Sequence, residues 1–160
     1  MSNQRIVIDR TYSASLAEIW ALWTTPAGIE SWWGPEGFRV TVQALELRPG
    51  GVLLYTMTAT AAPQIAFMKQ HGMPLSTQTK ITYAEVLPHK RLRYINLVDF
   101  VPGVTAYDVG TLLELEEREG RVHMRLTLDP MHAPEWTQRA AMGWQSELGK
   151  LEALLAGRAS

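Results

Sequence analysis

Acidic and imidazole side chains are the first candidates for chemistry in this sequence, because they can transfer protons near neutral pH. Asp99 and Asp108 flank a predicted loop, and either carboxylate could polarise a water molecule or a substrate carbonyl if it turned inward. Such residues more often cap turns. Glu85, His71 and His132 complete the set. The sequence therefore leaves open a lone acid–base pair, and it lacks the motifs of a serine nucleophile, a phosphate loop or a dinucleotide site.

Metal binding is not predicted by the four histidines, His71, His89, His123 and His132. None of them stands at a His-x-x-x-His or His-Glu-x-x-His spacing, and only His71 and His132 could meet near one opening. The chain has no cysteine, which excludes disulfides, thiolate nucleophiles and Cys-ligated zinc. We therefore predict neither a metal nor a cofactor.

Large apolar side chains point to a different kind of site. The chain has six Trp and seven Met, which suit an irregular cavity but would equally fill a core. A site for an apolar molecule combines such side chains with a few hydroxyl or amide groups. The predicted ligand-binding residues are Trp33, Tyr55, Met57, Phe67, Met68, Tyr83, Asn96, Tyr107, Met131 and Trp136.

Three of these assignments have a structural alternative. Trp32 and Trp33 are adjacent and cannot both face one way, so we expect Trp32 in the core and Trp33 at the pocket or also in the core. Asn96 lies either on the concave face or on the solvent-exposed convex face. Tyr94, which shares its face of the strand, favours the concave side. Trp136, near the start of the last helix, either lines the pocket or packs in the core.

Length and charge limit the classes of partner. The chain has 160 residues, which predicts one domain over residues 1–160, and its net charge is −1. A nearly neutral chain has no field that recruits nucleic acid. The N-terminus lacks the apolar segment of a signal peptide, and no apolar run is long enough to insert into a membrane. We therefore expect a cytoplasmic protein.

The elements that must position these residues follow from hydrophobic periodicity. Residues 5–12 alternate as a strand. Ser15, with Glu18 three residues later, predicts the start of a helix over 16–24, and Pro26 starts a second short helix that stops at Gly34 and Pro35.

Six further strands and one long helix follow. The strands are expected over 38–48, 52–60, 77–87, 91–99, 105–117 and 121–129. A helix over 134–156 carries an apolar stripe, and Gly143 inside it suggests close approach of another backbone. Returning the first strand to the edge of the six-stranded meander gives a seven-stranded antiparallel sheet in an α+β fold. Residues 61–76 interrupt the pattern with a short helix that is either a lid or a surface insertion.

Four segments resemble a known family. They are AEIWALWTTPAGIESWWGP (17–35), ALELRPGG (44–51), YAEVLPHKRLRY (83–94) and GWQSELGKLEALL (143–155). Their order and spacing resemble the START-like (SRPBCC) superfamily and, within it, the homologues of the activator of the heat-shock protein 90 ATPase (AHSA-like proteins). The resemblance runs from about Ile6 to Leu155. It implies a helix-grip (START/Bet v-like) fold, in which a curved sheet wraps around the C-terminal helix.

The resemblance leaves three functions open, because this fold hosts several. The first is binding of a hydrophobic small molecule, such as a lipid, a polyketide or an aromatic compound, between the sheet and the last helix. The second is a cyclase-like or hydrolase-like enzyme that uses the same cavity, and the third is a module that contacts a chaperone. A homodimer is also compatible with the sequence. The solid leucine stripe of the last helix places any pocket toward Trp136, with residues 61–76 and the Trp32–Trp33 pair at its mouth.

Overall fold

A computed structural model of the chain describes residues 4–34, 36–99, 101 and 103–157. Its strands are β1 (Ile6–Tyr12), β2 (Phe38–Leu45), β3 (Val52–Ala59), β4 (Ser76–Leu87), β5 (Arg91–Val98), β6 (Tyr107–Arg118) and β7 (Arg121–Leu128). Its helices are α1 (Leu16–Thr24), α2 (Pro26–Trp32), α3 (Ala62–Gln70) and α4 (Pro134–Gly157). The predicted α+β architecture, with two short helices after the first strand, is confirmed.

The sheet has seven antiparallel strands in the order β1-β7-β6-β5-β4-β3-β2. Strands β2 to β7 form a meander, and β1 closes the sheet against β7, with Ile8 opposite Leu126. Tight turns set this order. Glu119 and Gly120, for example, both adopt positive φ between β6 and β7, as a two-residue type I′ turn requires.

The N-terminal helices begin where their capping residues predict. The Ser15 side chain accepts a hydrogen bond of 3.1 Å from the backbone N–H of Glu18. Pro26 occupies the first turn of α2, and the Thr25 side chain caps that helix through Gly28 N–H. α2 ends at Trp32, with Trp33 as its C-cap residue and Gly34 next; Pro35 lies outside the described residues.

The concave face of the sheet carries the core. Along β7, Val122, Met124, Leu126 and Leu128 are buried, as the alternation in the sequence predicts. They face α4, whose C-terminal half buries Leu148, Leu151 and Leu155. This half of the helix therefore seals one end of the sheet.

The N-terminal half of α4 covers the sheet less completely. Thr137 and Ala141 are buried, whereas Trp136, Ala140 and Trp144 are half-buried. None of the helices in the described ranges is long and apolar enough to cross a membrane.

Candidate functional site

Trp33 stands at the centre of an aromatic layer between α2, α4 and the sheet. Its ring centroid lies 5.5 Å from that of Tyr55, 6.2 Å from that of Tyr94 and 6.1 Å from that of Trp144. Behind it, Trp23 stacks on Trp144 at 5.5 Å. Trp32 and Trp33 are both buried. Trp33 contacts tyrosines of the sheet, whereas the ring contacts of Trp32 are with Trp23, Trp33 and Trp144.

Beside the aromatic layer, the first half of α4 leaves the concave face of the sheet incompletely covered, and this less covered region is called the cleft. On the sheet wall, Tyr55, Met57 and Asn96 are only half-buried although they point to the concave side. On the helix wall, a Cβ added to Gly143 would meet no atom within 4 Å. The prediction that Gly143 permits close backbone approach is therefore wrong, because this glycine faces open space.

Several polar atoms along this region are buried without a partner. The Trp33 indole N–H and the Tyr83 hydroxyl have no hydrogen-bond partner among the described residues. The Tyr94 hydroxyl makes no hydrogen bond of good geometry, although the Thr111 side chain lies close by. The Trp23 indole N–H is unpartnered as well. A buried polar group without a partner costs roughly 1–3 kcal/mol, so these groups require an explanation.

Glu147 brings a carboxylate to the same place. One of its oxygens accepts a 2.7 Å hydrogen bond from the backbone N–H of Gly34, the residue after Trp33. Lys150, one turn later, donates to the backbone oxygens of Trp33 (3.3 Å) and Gly34 (3.0 Å). These three bonds fix the end of α2 on α4 and hold the carboxylate beside the aromatic layer.

Burial favours the protonated forms of the ionisable groups in and beside this layer. Burial raises the pKa of Glu147 to about 7, although the Gly34 N–H and the Lys150 ammonium oppose this change. Burial also raises the pKa of Tyr83 to about 12 and the pKa of Tyr94 well above its ordinary value. The tyrosines therefore stay protonated as hydrogen-bond donors, while Glu147 can gain or lose a proton near neutral pH.

A second group of predicted residues lies farther along the concave face. Val98, opposite Tyr107, follows Tyr94 by four residues of β5, or about 13 Å at the usual rise per residue. The Tyr107 hydroxyl bonds to Nδ1 of His132 at 2.7 Å and accepts from its backbone N–H at 3.0 Å. The Trp136 ring lies 5.5 Å from that of His132. Met131 precedes this group and is half-buried.

The two predicted ligand-binding residues of segment 61–76 lie outside the aromatic layer. Phe67 is 54% exposed, and its ring packs on His71 at 4.1 Å on the outside of α3. Met68 is half-buried in the same helix. No residue of α3 is buried, so this helix does not turn the Phe67 ring inward, and a ligand-binding role for Phe67 stays a prediction.

The predicted acid–base residues also lie elsewhere. Asp99, Asp108 and His71 are exposed, and Glu85 pairs with Arg91 at 3.3 Å. His132 is held by Tyr107. Within the described ranges, no group of three or more His, Asp or Glu side chains could hold a metal ion.

Glu147 is the functional candidate that the sequence analysis missed. It follows Trp136, Ala140 and Gly143 at helical spacing and therefore lies on their side of α4. A carboxylate on the border of an apolar stripe was the available signal. Its Gly34 partner is 113 positions away in the sequence, so the spacing alone did not show its burial.

Two clefts elsewhere on the molecule are lined by charged as well as apolar residues. One of about 530 Å³ lies beside α1 and the β4–β5 and β6–β7 turns, and its lining includes His89, Arg91, Glu114 and Arg125. Another of about 520 Å³ lies between α2 and α4, and Lys150 and Leu154 are among its lining residues. Both mix charged and apolar groups and lie apart from the unpartnered atoms of the aromatic layer.

Comparison with known proteins places the chain in a family. The model of the family described as Activator of Hsp90 ATPase homolog 1-like protein matches residues 13–156. The chain belongs to this family. No functionally curated protein matches the sequence.

Several solved structures share the fold of this chain. A Chromobacterium violaceum protein matches with a TM-score of 0.71 and 21% identity over 94% of this chain and 96% of its own. A Nitrosomonas europaea protein matches with a TM-score of 0.74 and 18% identity over 99% and 98% of the two chains. The AHSA1 protein from Silicibacter pomeroyi also scores 0.74, at 18% identity over 96% and 99%. These similarities confirm the helix-grip architecture.

Proposed function

We propose that this protein binds a neutral, largely apolar small molecule in the cleft between the first half of α4 and the concave face of the sheet. The ligand would be an aromatic or polycyclic compound that carries a carbonyl or hydroxyl oxygen. The observation that carries this proposal is a pair of buried polar atoms without a partner among the described residues, the Trp33 indole N–H and the hydroxyl of Tyr83, which lies opposite Tyr94 in the sheet.

The chemistry of these atoms favours a ligand oxygen. An indole N–H can only donate, so Trp33 requires an acceptor, and a protonated tyrosine hydroxyl can donate to the same kind of atom. A charged carboxylate on the ligand would oppose Glu147 once that residue ionises. Apolar walls such as Met57 would bind the rest of the molecule by burial.

Two glycines of α4 allow a matched test. Gly143 is half-buried on the side of α4 that carries Trp136 and Glu147, whereas Gly149 is exposed; an added Cβ meets no atom within 4 Å at either position. Gly143→Leu should fill the cleft, whereas Gly149→Leu should leave it open. Both substitutions should stabilise the helix by a similar amount, roughly 0.8 kcal/mol, because leucine has a higher helix propensity than glycine.

The experiment is a thermal-shift screen of hydrophobic aromatic ketones and phenols against the unchanged protein and both variants. We expect compounds that raise the melting temperature of the unchanged protein and of Gly149→Leu, with no effect on Gly143→Leu. The proposal fails if no compound binds, or if the two variants respond alike.

A further inference from the structure

A further cleft, the hairpin cleft, lies at the turn between β6 and β7. It has a volume of about 560 Å³, and its lining residues are Thr11, Arg118, Glu119, Arg121 and His123. Arg121 and His123 alternate along β7 with the buried Val122 and Met124, so their side chains lie on the convex face of the sheet. The hairpin cleft is therefore separated by the sheet from the region beneath α4.

Two arginines stand side by side in the hairpin cleft. The strand register sets Arg118 directly opposite Arg121, on either side of the two-residue turn. Like charges in directly opposite positions destabilise a pair of antiparallel strands. Arg118 donates to Glu116 at 2.8 Å and keeps further N–H donors, whereas Arg121 has no ion-pair partner among the described residues. Arg121 thus brings to the hairpin cleft a positive charge that no ion pair in this part of the chain neutralises.

His123 and Thr11 add polar groups beside the arginines. The Asp9 carboxylate lies 3.2 Å from Nε2 of His123, and the Thr11 hydroxyl lies 3.5 Å from Nδ1. Thr11 is the register partner of His123, so both side chains lie on the same face of the sheet. A hydroxyl can donate to an anion. Glu119 contributes a carboxylate to the lining, and its charge opposes an anion.

The cleft beside α1 adjoins the hairpin cleft and provides apolar surface. The two clefts share Arg118 and His123, and the lining of the cleft beside α1 includes Leu16 and Leu87. Leu87 is 45% exposed and is therefore available for contact. An organic group attached to an anion between the arginines would bury apolar surface there.

We propose that the hairpin cleft binds the phosphate group of a small aromatic phosphate monoester, whose ring lies along the adjoining cleft beside α1. Arg118 and Arg121 bind the phosphate from two sides, and the Thr11 hydroxyl donates to another of its oxygens. A phosphate dianion matches two cations, and its oxygens accept the paired N–H groups of a guanidinium. This site is independent of the ligand proposed for the region between α4 and the sheet.

The test is a proton–nitrogen NMR titration with phenyl phosphate at low salt and about pH 7.5, where a phosphate monoester is mostly a dianion. It follows the backbone signals of the β6–β7 turn and the Nε–H signals of the arginines. We expect saturable shifts at Gly120 and Arg121. Phenyl phosphate should bind about five-fold more tightly than inorganic phosphate or better, because its ring adds buried apolar surface.

Three substitutions test the lining residues. Arg121→Gln should weaken binding of phenyl phosphate about ten-fold or more, because it removes a charge-assisted hydrogen bond. This variant should fold, since Arg121 is exposed and lies opposite another arginine. Arg118→Gln should weaken binding in the same way. Glu119→Gln should strengthen it, because the substitution removes the opposing carboxylate.

Arg48→Gln is the matched control for Arg118→Gln. Arg48 also pairs with the glutamate two positions before it, at 3.1 Å, and its side chain is 65% exposed against 62% for Arg118. It lines neither cleft. The control removes the same charge from the chain, so it should bind phenyl phosphate like the unchanged protein.

The proposal is overturned if phenyl phosphate leaves the turn signals unmoved, if inorganic phosphate binds as tightly, or if Arg48→Gln weakens binding as much as Arg121→Gln. Shifts confined to the Trp33 indole would assign phenyl phosphate to the region beside α4 and would also overturn the proposal. Shifts at the turn that leave the Trp33 signal in place support it, whatever the thermal-shift screen shows for ketones and phenols.

Discussion

Replacing Tyr83 by Phe tests whether the unpartnered atoms belong to a ligand site. The Tyr83 hydroxyl is buried, has no hydrogen-bond partner within the described ranges, and sits on a ring that is 2% exposed. Phenylalanine keeps the ring and removes an atom whose desolvation costs roughly 1–3 kcal/mol. We therefore expect Tyr83→Phe to raise the free energy of unfolding by about 1 kcal/mol, or the melting temperature by about 2–4 °C for a chain of this size.

The same change should weaken ligand binding. Loss of one hydrogen bond worth about 1 kcal/mol reduces affinity roughly five-fold for a ketone or phenol, and leaves an analogue without the oxygen unaffected. Urea unfolding followed by tryptophan fluorescence measures stability, and titration with both compounds measures affinity. Tyr107→Phe is the control, because the Tyr107 hydroxyl is bonded to His132 and its removal should lower stability. A Tyr83→Phe protein that is less stable than the unchanged one would refute the reasoning.

Three further changes test other parts of the structure. The folded-state pKa of Glu147, about 7, lies above the ordinary 4.5, so the stability it contributes is fully present below pH 4.5 and lost as the pH rises through 7. Urea unfolding at pH 5 and pH 8 should show a loss of up to about 3 kcal/mol that Glu147→Gln lacks; an equal loss in both proteins would contradict the assigned burial. Ser15→Ala should cost about 1 kcal/mol in the same assay, because it removes the cap on Glu18 N–H, and no loss would rule out that cap. Gly149→Ala should raise the unfolding free energy by up to about 1 kcal/mol, and a decrease would show that the space beside this glycine is occupied.

Local signals in the sequence predicted most of the fold. The helix start at Ser15 depends on a residue three positions away, and the turn at Gly120 depends on neighbouring residues. The alternation of β7 and the leucine stripe of α4 each identify one buried face without knowledge of the partner. The long helix and the meander followed from such signals because each element must bury its own apolar side.

The site depended on contacts that no local pattern reveals. Glu147 acquires its environment from Gly34, which is distant in the sequence. Phe67 appeared suited to the pocket by type, but α3 turns it outward. Trp33 and Tyr83 were predicted as ligand-binding residues, whereas the absence of partners for their polar atoms became visible only once the neighbouring elements were in place.

The most direct test of ligand binding in the cleft is the indole N–H signal of Trp33 in a proton–nitrogen correlation spectrum. Trp32 provides an internal control, because its indole N–H already donates to the Leu22 carbonyl at 2.8 Å. On titration with an aromatic ketone that raises the melting temperature, the Trp33 signal should move downfield as it gains an acceptor, while the Trp32 signal changes little. A ketone that binds and leaves the Trp33 signal unmoved, or shifts residues around His89 instead, would contradict the proposed site.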